Sequence, residues 1–175
     1  RRWPSAHAEQ LLAWRIGTNL ARALRGQVDL DEDASLYALL EQAEEDGPTV
    51  RNRNQIQQEV FAELMRQLPA ERPLRVLELN GGTGAATSFV LPVLNAQQTE
   101  YVFTDTSPVA LKAARQKFRE YPFVRYAELA PDVAPLEQEF QASSFDIVIC
   151  SDAALASHFA PLFAPGALLL LRGDS

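Results

Sequence analysis

Apolar positions recur with two different periods along the chain, and the change falls near Leu74. Over residues 8–25, AEQLLAWRIGTNLARALR, the residues Leu12, Ile16, Leu20 and Leu24 return at every fourth position with Leu11 beside them. That spacing lays one apolar stripe along a helix, and Gly26 supplies the residue that commonly ends a helix in a left-handed turn. A second helix is predicted from a capping Asp33 through SLYALLEQAEE to the breakers Gly47 and Pro48, and a third over NQIQQEVFAELMRQL up to Pro69.

From Leu74 onward the apolar residues gather into short blocks separated by helical patterns. LRVLELN, EYVFTD, FVRYAEL, FDIVICS and GALLLLR read as strands. ATSFVLPVLN reads as a helix bent by Pro92, and SPVALKAARQKFREY as a helix with Pro108 in its first turn. Strict alternation of strand and helix implies right-handed crossovers and a parallel sheet covered on both faces. Near-continuous apolar runs such as IVIC and ALLLL suit strands buried in such a sheet. The expected fold is therefore α/β and Rossmann-like, with strand order 3-2-1-4-5 and a helical segment ahead of it.

Composition narrows the class further. At 175 residues and 47% hydrophobic content the chain supports one well-buried core. A formal net charge of −7 argues against nucleic acid, whose phosphates are bound by clustered Lys and Arg. The single cysteine, Cys150, lies in an apolar run and reads as a small buried hydrophobe, which fits a reducing cytoplasm. No apolar stretch reaches the roughly 20 residues that span a bilayer, and RRWPSAHAEQ lacks the apolar segment of a signal peptide. No residues are assigned to a metal. The lack of an initiator Met and the ending LLLLRGDS lead to the expectation of a domain excised from a longer chain. Between Asp29 and Asp46 stand eight carboxylates and no Lys or Arg, expected to form a solvated helix face rather than a dock for a basic neighbour.

Candidate chemistry centres on RVLELNGGTGAAT. Gly81, Gly82 and Gly84 follow the first strand and open a helix, where glycine permits a tight turn and lets a ligand lie against main-chain amides. No Gly-Lys-Ser/Thr follows, which excludes a phosphate loop. The second strand ends in Asp105, placed to accept hydrogen bonds from ribose hydroxyls.

VLELNGGTGAAT…YVFTDTSPVALKAARQKF resembles the S-adenosylmethionine-binding core of class I methyltransferases, whose first motif is Glu-x-Gly-x-Gly-x-Gly. Within that family it is most similar to the C-methyltransferase domains of polyketide synthases and related megasynthases, which read LEIGAGTGGTT…YTFTDIS and later FDLVIASNVLHAT…LKPGGLLLLLE. WRIGTNLARALRG…LYALLEQ…NRNQ resembles the helical lid ahead of that core, so the resemblance covers essentially the whole chain and implies a lid over residues 1–70 and a methyltransferase core over 71–175. It also implies that Glu78, Asn80, Gly82, Gly84 and Asp105 form the cofactor groove, with Glu78 and the glycines toward the methionine and Asp105 on the ribose. The plainer alternative has Glu78 capping the turn and Asp105 capping the helix that starts at Ser107. Implied partners are the neighbouring domains of one megasynthase chain and an acyl carrier protein. The family's sheet continues past its fifth strand, so truncation there leaves an edge to be covered from elsewhere.

Four departures stand in separate motifs. The first glycine of the motif is Asn80, whose side chain takes room the cofactor would use. The Leu-Asp after the third strand, whose carboxylate meets the adenine amine, is Leu129-Ala130, with Asp132 two residues late. The histidine proposed as general base aligns with Leu155, and the glutamate that supports it aligns with Arg172. Removing an α-proton from a β-ketoacyl thioester needs a positioned base near neutral pKa, and leucine offers none. His7 lies in the N-terminal region and His158 reads as a solvent-facing helix residue. The sequence therefore leads to a degenerate, structural methyltransferase-like domain with weak or lost S-adenosylmethionine binding. Two alternatives stay open: an active C-methyltransferase using Asp152, Asp132 or His158, and a methyltransferase-derived epimerase.

Overall fold

The apolar blocks after Leu74 pair side by side into one sheet. In the computed structural model, which describes residues 7–28, 33–69 and 71–172, the strands are β1 (Leu74–Leu79), β2 (Thr99–Asp105), β3 (Val124–Glu128), β4 (Phe145–Cys150) and β5 (Phe163–Leu171). They lie in the order β3-β2-β1-β4-β5, and every pairing is parallel. This is the expected α/β, Rossmann-like topology. Val76 sits level with Tyr101 on one side and Ile147 on the other, which places β1 at the centre of the sheet.

Side-chain alternation sorts the strand residues onto two faces. Leu74 and Val76 join Tyr101, Phe103, Ile147 and Ile149 in one cluster, closed by Phe61, Val90, Leu111 and Phe118. Those closing residues come from or adjoin α3 (Pro48–Gln67), α4 (Ala85–Val90) and α5 (Pro108–Lys117). Leu77, Leu79, Val102, Val148 and Cys150 point the other way, against Ala156, Phe159 and Leu162 in and after α6 (Ala153–His158). Cys150 is buried there, as its apolar surroundings predict.

Several boundaries differ from the pattern, each for a local reason. α3 starts at Pro48, because proline in a first turn lacks only an N–H that has no helical partner anyway. Pro92 ends rather than bends the helix after the glycines: α4 stops at Val90 and a single tight turn, Leu91–Val93, follows. β5 starts early but carries a bulge, since Phe145 pairs with Phe163 and Ile147 with Leu168, and Gly166 absorbs it at φ 79°. β5 is an edge strand with Leu168, Leu169 and Leu171 exposed.

Ahead of the sheet stand α1 (His7–Ala23) and α2 (Ala34–Asp46). Asp33 caps α2 as predicted, accepting from the N–H groups of Ser35 and Leu36. The apolar stripe of α1 is only partly covered, with Ile16 37% and Leu20 47% exposed, and Trp14 beside it is 67% exposed. Among the described residues no helix is long and apolar enough to cross a membrane.

Candidate functional site

The carboxyl ends of β1 and β2 meet at the Asn80–Gly84 loop, where the sequence placed its glycine motif. Asn80, Gly82 and Gly84 take left-handed backbone angles, φ 56°, 59° and 71°. The glycines answer to different constraints. A Cβ on Gly81 would lie 2.3 Å from the Phe103 ring, and one on Gly84 would lie 2.6 Å from the Phe118 ring. Those two make room for aromatic packing inside the core. Gly82 alone opens onto free space, with nothing within 4 Å of a Cβ placed there.

The loop's peptide groups are turned inward. Gly81 N–H donates to Thr104 C=O at 2.8 Å, and Gly84 N–H to Gly81 C=O at 3.0 Å. Gly82 N–H donates to Asp105 Oδ2 at 2.7 Å, while Asp105 Oδ1 accepts from Ser107 N–H at 2.8 Å. Asp105 therefore joins the glycine loop to the start of α5, where Ser107 is the capping residue. It is 4% exposed, and it also lines a cavity of about 490 Å3. Beside it on that wall are Tyr37, Asn80, Gly82 and Ser107. Apolar residues of α1 and α2, Leu12, Ile16, Leu36 and Leu40, line the cavity as well.

Glu78 is not on that cavity. It is 1% exposed, on the face covered by α3 and α4, with Oε2 accepting from Thr87 Oγ1 at 2.6 Å and Tyr101 Oη at 2.7 Å. Its Oε1 is buried without a hydrogen-bond partner. Burial raises the Glu78 pKa above the ordinary carboxylate range, against the Arg172 charge and the two hydrogen bonds, which lower it. Tyr101 is pushed well above its usual value by its own burial and by the Glu78 charge.

At the carboxyl ends of β4 and β5 the remaining site positions diverge. Leu155, half-buried, packs onto the cluster of Leu77, Val148 and Phe159. Arg172 N–H donates to Cys150 C=O at 2.7 Å, so it continues the β5 ladder and shares a face with Leu170, on the Glu78 side of the sheet. Its Nε is buried without a partner. Asp152 caps α6, with Oδ1 accepting from Ala154 N–H at 2.7 Å and Leu155 N–H at 3.1 Å. His158 is exposed, with Nε2 3.3 Å from Val133 C=O. After β3, Gln138 holds the loop: its Oε1 accepts from Ala130 N–H at 3.1 Å, and its Nε2 donates to the carbonyls of Ala130 and Val133 at 2.9 Å each.

What sequence reasoning missed is the grip of α2 on this loop. Tyr37 Oη donates to Gly82 C=O at 3.1 Å, Thr83 Oγ1 donates to Glu44, and Ser88 Oγ donates to Glu45 Oε1 at 3.0 Å. Burial, and then the charges of Glu41, Asp105 and Glu44, push the Tyr37 pKa up to about 12, so the phenol stays a donor. The carboxylates expected on a solvated face thus include three, Glu41, Glu44 and Glu45, that are partly buried and paired within the fold. Asp29, Asp31 and Glu32 lie outside the described residues. Tyr37, Glu41, Glu44 and Glu45 do fall on one helical face, a signal that spacing carries.

The sequence matches a family described as methyltransferase domain over residues 77–164. It is 30% identical over 184 residues to the non-reducing polyketide synthase tazA of Aspergillus terreus, an alignment that takes in 98% of this chain and 7% of that protein. The CurJ carbon methyltransferase superimposes with a TM-score of 0.86 and 32% identity, over 95% of this chain and 47% of that one. The trans-methyltransferase CalH, solved in complex with SAH, gives a TM-score of 0.69 and 26% identity, over 94% of this chain and 48% of that one. The chain thus spans about half the length of each solved relative and a small part of the synthase.

Proposed function

The chain belongs to the methyltransferase domain family, and from that premise we propose that it is a catalytically degenerate C-methyltransferase-like domain with a structural role inside a polyketide synthase or hybrid megasynthase. The observation that carries this reading is the chemistry present at positions 155 and 172, an apolar side chain and a guanidinium. Leu155 packs into the cluster on the α6 face, while Arg172 lies on the Glu78 face. C-methylation at the α-carbon of a carrier-bound β-ketoacyl thioester needs a base to take the proton and a partner to hold that base. A leucine on one face and a guanidinium on the other supply neither. The capping bonds of Asp152 commit that carboxylate to α6, and His158 lies against Val133 C=O.

S-adenosylmethionine, when bound, supplies an electrophilic sulfonium methyl. The groove suits its nucleoside: Asp105 keeps free lone pairs beside the cavity, and Gly82 leaves space for a close approach. The methionyl end is served less well, because the Glu78 carboxylate is turned into the core and Asn80 puts a side chain on the cavity wall. Weak cofactor binding follows from that imbalance. The division into a helical lid over 1–70 and a core over 71–175, and partnership with neighbouring domains and an acyl carrier protein, belong to the same proposal.

One observation favours the second reading, an active C-methyltransferase: the cavity beside Asp105 is open. Calorimetric titration with S-adenosylmethionine and S-adenosylhomocysteine, run beside a mass-shift assay on a pantetheine-bound β-ketoacyl substrate, separates the two. The expected result is a dissociation constant well above the micromolar range, since each hydrogen bond lost to a buried ligand costs about 1–3 kcal/mol, and no mass shift. Methyl transfer by the unaltered chain overturns the degenerate reading. Tight cofactor binding without transfer would leave the chemistry lost and make the domain a cofactor-binding one.

A further inference from the structure

Lys117, in the last turn of α5, meets three acceptors from two other parts of the chain. Its Nζ lies 2.7 Å from Glu41 Oε1, 2.5 Å from Glu45 Oε1 and 3.0 Å from Thr83 C=O. The side chain is 22% exposed, so these are not loose surface pairs. The ammonium donates hydrogen bonds to Glu45 and to Thr83 C=O, and Glu41 completes the set as a close ion pair. Two of those acceptors belong to α2 and the third to the glycine loop.

We propose that Lys117 is a positioning residue for the groove, holding the glycine loop against α2 and so fixing the Gly82 wall of the cavity from outside it. Glu41 and Glu45 stand four residues apart on one helical face, where like charges repel. Glu44, which accepts from Thr83 Oγ1, adds a third carboxylate beside them. No Lys or Arg occurs in α2 to offset them. The ammonium compensates that charge while it ties down Thr83 C=O, and Tyr37 ties down the adjacent Gly82 C=O. Docking of α2 and conformation of the loop are therefore one event. Without Lys117 the three carboxylates have every reason to move into water, and they carry Tyr37 with them.

This clamp stands whether or not the groove takes a nucleoside, so its test needs no ligand. Amide hydrogen exchange, read by mass spectrometry on the whole chain, compares peptides covering 34–46 and 80–88 with peptides covering β4 and β5. Lys117→Met is expected to speed exchange by about tenfold or more in the first two regions and to leave β4 and β5 unchanged, because local opening is graded by the contacts that resist it. Lys117→Arg is expected to restore most of the protection. In the unaltered chain, raising salt from about 0.05 M to about 1 M should move the 34–46 peptide toward the Lys117→Met rate, whereas in the variant, where only carboxylate repulsion remains to be screened, salt should not speed exchange. Unchanged exchange at 34–46 and 80–88 in Lys117→Met overturns the proposal. So does a uniform rise that includes β4 and β5, which would make Lys117 an ordinary contributor to stability, and so does failure of Lys117→Arg to restore protection.

Discussion

The carboxyl edge of the sheet has two halves that have fared differently. Where β1 and β2 end, the polar side chains are bonded into the fold: Asp105 holds Gly82 and Ser107, Glu78 holds Thr87 and Tyr101, and two of the glycines clear space for Phe103 and Phe118. Where β4 and β5 end, Leu155 contributes to an apolar cluster, Asp152 caps a helix, and Arg172 leaves its Nε buried and unpaired. The difference is one of commitment: the polar groups of the first half are bonded into the fold, whereas position 155 of the second half contributes apolar packing. Asp105, Gly81 and Gly84 serve the fold itself, so replacing them strands part-buried N–H groups or forces overlap. Leu155, by contrast, contributes only apolar packing.

The strongest challenge to this contrast is Gly81→Ala. Its Cβ would enter the Phe103 ring at 2.3 Å, and overpacking of this kind should cost about 3 kcal/mol, visible as a melting temperature lower by about 10 °C. A neutral result would mean that the binding half is not held by packing. Asp105→Ala comes next. It strands the N–H groups of Gly82 and Ser107, for an expected loss of about 2 to 3 kcal/mol in urea denaturation, with Asp105→Asn in between.

A third measurement sharpens the comparison through pH. The charges and donors that face Glu78 are Arg172, Thr87, Tyr101 and Asp105. Because burial raises its pKa, protonation favours the folded state. The stability it contributes is full below the ordinary value of 4.5 and is lost as pH rises through the higher folded value. Glu78→Gln should abolish this part of the pH dependence. Arg172→Met should move the loss to higher pH by removing the opposing charge. Arg172→Glu should cost more than Arg172→Met at neutral pH, on the order of 2 kcal/mol, because it sets a second carboxylate near the first. Identical urea midpoints for Arg172→Met and Arg172→Glu across pH 4 to 8, a range of about four units, would show that Arg172 and Glu78 are not coupled.

The smallest effect is expected at Leu155→His. The imidazole replaces a half-buried side chain for about 1 kcal/mol and restores no methyl transfer, since position 155 packs toward the α6 cluster. A mass shift from this single variant would break the contrast between the halves.

The order of strands and helices was legible from local signals alone. Short apolar runs marked β1 and β4, Asp33 and Pro108 announced their helices, and the glycine run marked the loop after β1. Each of those signals sits within a few residues of what it governs. The site was legible only by position. That Gly81 and Gly84 serve Phe103 and Phe118 while Gly82 serves the cavity depends on aromatic rings 22 and 34 residues further along the chain, by difference of residue number. That Tyr37 reaches Gly82 across 45 residues, and Lys117 reaches Glu45 across 72, follows from how α2 and α5 are laid over the loop. Periodicity and capping chemistry are properties of consecutive residues, so the sequence by itself determined the elements and their order. The partners of polar side chains are properties of packing, in which distant segments compete for the same buried volume, and the tertiary structure alone decided that Glu78 faces the core, that Leu155 and Arg172 lie on opposite faces, and that the acidic helix closes on the glycine loop.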